Sequence, residues 1–113
     1  MKTVRTPKGT LLPLTNLKGK DYLMTAYRLQ WFVEENPMYH ITTTFPILND
    51  EETVAVCTIH VINDQGQVLR KAMGTKRENL KHFADHSEKA ETGALGRALL
   101  QLGYGTQYAL ADL

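Results

Sequence analysis

Between positions 70 and 81 the chain sets Arg70, Lys71, Lys76, Arg77 and Lys81 against one acid, Glu78. Side chains on a strand alternate between faces, so one subset of these cations can line a groove while the other meets solvent. Basic groups in a groove hold phosphates without reading sequence. An ordinary solvated strand edge is the other reading. A second candidate is EKAETGALGRALLQLGYG, from Glu88 to Gly105. It reads as a helix with Gly93 and Gly96 inside it, each costing about 1 kcal/mol relative to Ala. A helix keeps such residues where something must approach its backbone. Gly93, Gly96 and Arg97 fall on neighbouring positions of one face, opposite Leu95, Leu99 and Leu102. A guanidinium beside bare backbone suits a phosphate or a second subunit; close helix–sheet packing, with Arg97 in an ion pair, fits the same pattern.

Other chemistries are poorly supplied. His82, Asp85 and His86 are the only metal-like group, and two histidines four apart can share a helix face with a carboxylate. There is no His-Glu-x-x-His, no nearby cysteine, and the pair straddles the expected helix start, so neither metal nor other cofactor is expected. Cys57, between Val56 and Thr58, reads as a small core residue. No serine or threonine has an adjacent base, no carboxylate pair is placed for acid–base work, and no Walker-type glycine loop occurs. Gly103-Tyr104-Gly105 has no membrane helix to serve as a channel filter and reads as a helix stop and turn. The expectation is a non-enzyme. Tyr22, Tyr27, Trp31, Tyr39, Tyr104 and Tyr108 include candidate base-stacking platforms.

These residues need a scaffold. With 113 residues, 42% apolar and 22% charged, the chain fits one globular domain. Net charge is +1, yet residues 1–20 carry five lysines and arginines and no acid, while 29–69 carry acids and no Lys or Arg. No apolar run nears the roughly 20 residues that span a bilayer. No apolar segment follows Met1, and a single cysteine suits a reducing compartment, so a cytoplasmic protein without membrane contact is expected.

Residues 1–19, with Pro7, Gly9 and Pro13, read as a basic N-terminal arm, and 20–113 as the core domain. Lys20 to Asn36 reads as a helix, with Asp21 near its start and Pro37 as its stop. Tyr39, Ile41, Thr43, Phe45 and Ile47 then share one face of a strand, which Pro46 confines to its end or to an edge. Thr53 to Ile62 is apolar on both faces, as in a central strand. Asn63 to Gly66 is a turn, and Gln67 to about Arg77 returns as a third strand. The last helix runs from His86 to Leu102, with Asp85 and Glu88 as a capping box, Ala94, Leu95, Ala98, Leu99 and Leu102 as its buried stripe, and Gly103 as its stop. The expected fold is α+β: a three-stranded antiparallel meander flanked by two helices, in the order α-β-β-β-α.

With those elements in order, EKAETGALGRALLQLGYG resembles the signature helix of the Rad fifty-two-like single-strand annealing proteins, including their bacterial DdrA and phage Erf branches. TVAVCTIHVINDQGQVLRKAMGT is similar to that family's central hairpin, and the Trp31-Phe32 helix followed by Pro37 fits upstream. The likeness covers roughly Lys20 to Gly105. It implies a β-β-β-α core that assembles into homo-oligomeric rings or filaments and binds single-stranded DNA in a basic outer groove, annealing complementary strands in recombination and repair. It also implies contact with a phage or host exonuclease or single-strand-binding protein. Arg97 matches the family's signature arginine, Lys20 its lysine ahead of the first helix, and Arg28 a basic position beyond it. Gly96 and Leu100 stand where eukaryotic members carry further basic residues. Two alternatives stay open: a double-stranded RNA-binding module of the same α-β-β-β-α order, against which the mixed-sign Ser87–Glu91 counts, and a structural oligomer without nucleic acid.

Overall fold

The computed structural model describes residues 2–109. Two short antiparallel hairpins come first, β1 (Thr3–Arg5) with β2 (Leu11–Pro13) and β3 (Thr15–Leu17) with β4 (Lys20–Tyr22). Then follow α1 (Thr25–Glu35), β5 (Tyr39–Leu48), β6 (Glu52–Ile62), β7 (Val68–Asn79), α2 (His86–Gln101) and a 3-10 turn at Thr106–Tyr108. Strands β5, β6 and β7 form one antiparallel sheet in that order. The α+β class and the three-stranded meander with two helices are as the sequence implies.

Strand β6 is central because it can be buried. Thr53, Ala55, Cys57, Ile59 and Val61 all turn to one face and are buried there. Against them lies α2, whose Ala90, Ala94 and Ala98 recur every fourth residue and are fully buried with Leu99. Small residues on both sides bring helix and sheet close. Phe32 of α1 enters the same core and makes edge-to-face contacts with Tyr39 and Tyr104, ring centroids 5.3 and 5.5 Å apart. Trp31 meets Tyr104 in the same way at 5.8 Å. Among the described residues no helix covers the opposite face of the sheet. It shows His40, Thr42, Val56, Thr58, His60, Lys71, Met73 and Arg77.

Four local expectations are corrected. The basic N-terminal stretch, expected without sustained period, forms short hairpins that pack on the core. Leu12 is buried, the Lys8 ammonium donates to the Glu34 carbonyl at 2.9 Å, and the Thr10 hydroxyl donates to the Glu34 carboxylate. The first helix starts at Thr25, because Lys20–Tyr22 pairs with Thr15–Leu17 across a two-residue loop. Lys18 and Gly19 both have positive φ, 51° and 83°, the geometry of a type I′ turn. A bulge between Thr44 and Ile47 pairs Ile47 with Val54, so Ile47 leaves the face shared by Tyr39, Ile41 and Thr43. Finally, Asp85 makes no side-chain cap on α2. His86 and Ser87 tether that helix end instead, through Thr53 of β6. Among the described residues no helix is long and apolar enough to cross a membrane.

Candidate nucleic-acid interface

Strand β7 is an edge strand, and its outer rim gathers most of the sequence-predicted cations. Arg70 and Lys76 turn to the helix side, in register with buried Val61 and Ala55. Lys71 and Arg77 turn to the open face, opposite His60 and Val54. The expected alternation of cations between two faces is present.

An edge strand leaves every second N–H and C=O unused by the sheet. Here α2 supplies partners. The Met73 N–H donates to the Gln101 side-chain oxygen at 3.0 Å, and Arg97 Nη1 donates to the Thr75 carbonyl at 2.7 Å. Arg97 is thereby held across the rim of β7. Arg70 donates to the Leu102 carbonyl at 2.9 Å, where a cation meets the negative end of the helix dipole. Both guanidiniums thus donate to a neutral carbonyl at the rim. Arg77 is paired with the Glu52 carboxylate at 3.4 Å. Lys71 and Lys76 have no ion-pair partner among the described residues.

The glycines serve packing. A Cβ built on Gly93 would lie 2.7 Å from Cγ of Lys76, so the bare helix backbone is covered by that lysine's alkyl stem. Gly96 is buried, and its carbonyl accepts from Arg28 Nη1 at 2.9 Å. The expected bare glycine face beside Arg97, open to an approaching strand, is therefore absent.

Arg28 is also corrected. It is fully buried, and its guanidinium donates to the Leu23 carbonyl at 3.0 Å and the Thr25 hydroxyl at 3.1 Å besides Gly96. It joins α1 to α2 from within and has no surface to offer a phosphate. Lys20 lies on β4, outside the main sheet, and Lys81 in the exposed turn after β7. The aromatic residues are drawn partly or wholly into packing. Trp31, Tyr39 and Tyr104 are engaged in the core cluster with Phe32, and Tyr22, Tyr27 and Tyr108 are half-buried.

The histidines separate. His82 is exposed in the turn, whereas His86 is buried, its Nδ1 2.8 Å from the Thr53 hydroxyl and its Nε2 3.2 Å from the Asp50 carbonyl. A carbonyl only accepts, so Nε2 carries a proton; in the neutral ring Nδ1 then accepts from Thr53, and Ser87 donates to Thr53. That chain ties the β5–β6 turn to α2. Cys57 is fully buried and burial pushes its thiol up, as a core cysteine requires.

Three participants escaped sequence reasoning. Gln101 and Thr53 carry no recognisable signal. Gly74 does, because an isolated glycine in a strand marks close backbone approach. A Cβ there would stand 2.1 Å from the Ala94 carbonyl oxygen and 2.6 Å from the Ala98 nitrogen. Its register with the Ala90–Ala94–Ala98 stripe sets how near α2 and Arg97 come to β7.

No family model, curated protein or solved structure matches the chain. The likeness to the annealing family rests on the quoted segments alone.

Proposed function

We propose that this protein binds single-stranded DNA through the β7 rim and promotes annealing of complementary strands, without covalent chemistry. The observation that carries this reading is the alignment of Arg70, Lys71, Lys76 and Arg77 on one edge strand with Arg97 clasped across it. Annealing requires that a strand be held by its phosphates, that base edges stay accessible, and that repulsion between two polyanions be reduced. Guanidiniums suit this task because they fork onto phosphate oxygens and remain charged at any working pH. Tyr104 is buried and Trp31 and Tyr39 pack, half-buried, against the same core, which agrees with a grip on the backbone rather than on stacked bases.

Lys71 and Lys76 are the residues to perturb, since neither holds another element by an ion pair. A Lys71→Gln/Lys76→Gln protein should keep its fold and bind oligo-dT with a salt slope shallower by about 1.4, at about 0.7 per lost phosphate contact on a single strand. Annealing of complementary oligonucleotides should slow in parallel. An unchanged slope and rate would remove β7 from the reading. Tighter binding of duplex RNA than of oligo-dT would favour the double-stranded RNA alternative.

A further inference from the structure

The two edges of the sheet are treated differently, and the difference defines a second surface. The Ile62 N–H donates to the Met38 carbonyl at 3.1 Å. By the alternation of antiparallel ladders, His40, Thr42 and Thr44 then sit in hydrogen-bonded pairs with β6, opposite His60, Thr58 and Val56. Tyr39, Ile41 and Thr43 lie between them and turn their N–H and C=O outward. The same alternation turns Met73 and Thr75 outward on β7, where Gln101 and Arg97 take up the groups. Nothing among the described residues does this for β5.

The usual devices that blunt an edge are charged side chains, proline and bulges. Strand β5, YHITTTFPIL, has no Lys, Arg, Asp or Glu. Pro46 and the bulge between Thr44 and Ile47 protect only its far half. The near half, Tyr39 to Thr44, is rich in β-branched residues and is a ready template for another strand.

We propose that two copies of this chain pair antiparallel through β5, about a two-fold axis at Ile41. Each outward N–H of Tyr39, Ile41 and Thr43 then meets a carbonyl of the other copy, with Ile41 opposite Ile41 and Tyr39 opposite Thr43. His40 of each copy faces Thr42 of the other on the open face, a pairing without charge repulsion. A formal net charge of +1 opposes the encounter little at long range. The pair joins two three-stranded sheets into one, with both α2 helices on the same side. Assembly stops there, because the outer rims are the two β7 strands, whose middle is guarded by α2 at Met73 and Thr75. Head-to-tail addition of β5 to β7 is blocked for the same reason. The surface is independent of the nucleic-acid reading: it lies on the other edge.

Light scattering coupled to size exclusion at micromolar concentration, without DNA, tests it. The wild-type protein is expected at twice the monomer mass, and a His40→Lys/Thr42→Lys protein, altered only at exposed positions, at the monomer mass with an unchanged far-ultraviolet spectrum. If that variant unfolds, Ile41→Cys carries the test. A hydrogen-bonded antiparallel pair places Cα atoms about 5.5 Å apart, within disulfide reach, so mild oxidation should give a covalent dimer, whereas Leu48→Cys should not. A monomeric wild type, a dimer or larger assembly that survives the double lysine change, or cross-linking equal at both cysteines would each overturn the proposal. Binding of a foreign strand-forming peptide by a monomeric wild type would assign the edge to another partner.

Discussion

Replacing Gly74 with alanine should be among the most damaging single-methyl additions in this protein, and the reason is visible atom by atom. The new Cβ would stand 2.1 Å from the Ala94 oxygen, 2.6 Å from the Ala98 nitrogen and 2.9 Å from the Arg97 Cβ. Two of these are helix backbone, which cannot rotate away, so α2 must lift from the sheet by more than an ångström. Lifting it loosens Ala90, Ala94, Ala98 and Leu99 together. Overpacking costs about 1 to 3 kcal/mol, and a backbone collision belongs at the upper end. Against it stands the lower entropy of alanine in the unfolded chain, about 0.5 to 1 kcal/mol. The expected net loss is about 2 kcal/mol. Gly93→Ala is the internal control. Its Cβ meets the flexible stem of Lys76, which can swing, while helix propensity gains about 1 kcal/mol. Urea unfolding of both proteins should show a lower midpoint for Gly74→Ala and an equal or higher one for Gly93→Ala. Equal midpoints for Gly74→Ala and wild type would refute the claim that Gly74 sets the helix–sheet distance.

Other perturbations have definite outcomes. Arg28→Ala should cost about 1 to 3 kcal/mol for each buried acceptor it leaves unpaired among Leu23, Thr25 and Gly96, read as a fall in urea midpoint with oligo-dT binding unchanged in whatever fraction remains folded. His86→Ala should cost about 1 to 3 kcal/mol, because the buried Thr53 hydroxyl loses its acceptor, and amide exchange should rise first at Asp50 and the start of α2. The Thr10 and Thr6 hydroxyls and nearby Lys8 hold the Glu34 carboxyl below its ordinary value of 4.5. A depressed folded value adds stability that is complete above the unfolded value and is lost as pH falls from about 4.5 through the folded one. The Thr6–Thr10 turn should therefore detach from α1 on acidification, seen in the amide shifts of Lys8 and Thr10, and Glu34→Gln should abolish that pH dependence. Native Cys57 should resist thiol reagents until the chain unfolds.

Period and composition made the main sheet readable. Strand β6 declared itself by apolar residues on both faces, and β7 by the turn at Asn63 to Gly66. The N-terminal hairpins were hidden because their strands are three residues long, too short for alternation to register, and one turn uses Lys18-Gly19 rather than a more familiar Asn-Gly. The start of α1 is hidden in the sequence because Asp21 in a strand and Asp21 in a first helical turn look alike. The burial of Arg28 is hidden for a different reason. Sequence reports a charge but not whether backbone carbonyls stand ready to receive it, and here Leu23 and Gly96 supply them from residues far apart in the chain.

The same distinction separates the cations that can meet a polyanion from those the fold consumes. Arg28 satisfies carbonyls inside the protein, whereas Arg70 and Arg97 satisfy carbonyls at its rim, Leu102 at the end of α2 and Thr75 on the edge of β7. A rim carbonyl occupies one donor, so a guanidinium fixed in this way loses rotamer freedom before any phosphate arrives. Less entropy then remains to be lost on binding. The hydrogen bond that protects β7 from strand addition also orients Arg97 along the β7 rim. On the proposed reading, edge protection and phosphate binding become two consequences of one contact, and β5, which lacks such a contact, is the edge proposed to pair with a second copy. Arg97→Lys separates the two roles: it keeps the charge and loses the planar fork. If both readings hold, that protein should bind oligo-dT with nearly the wild-type salt slope but lower affinity, and amide exchange should quicken along β7 while β5 is unaffected. Equal quickening on both edges would mean that Arg97 stabilises the sheet as a whole and does not guard one rim.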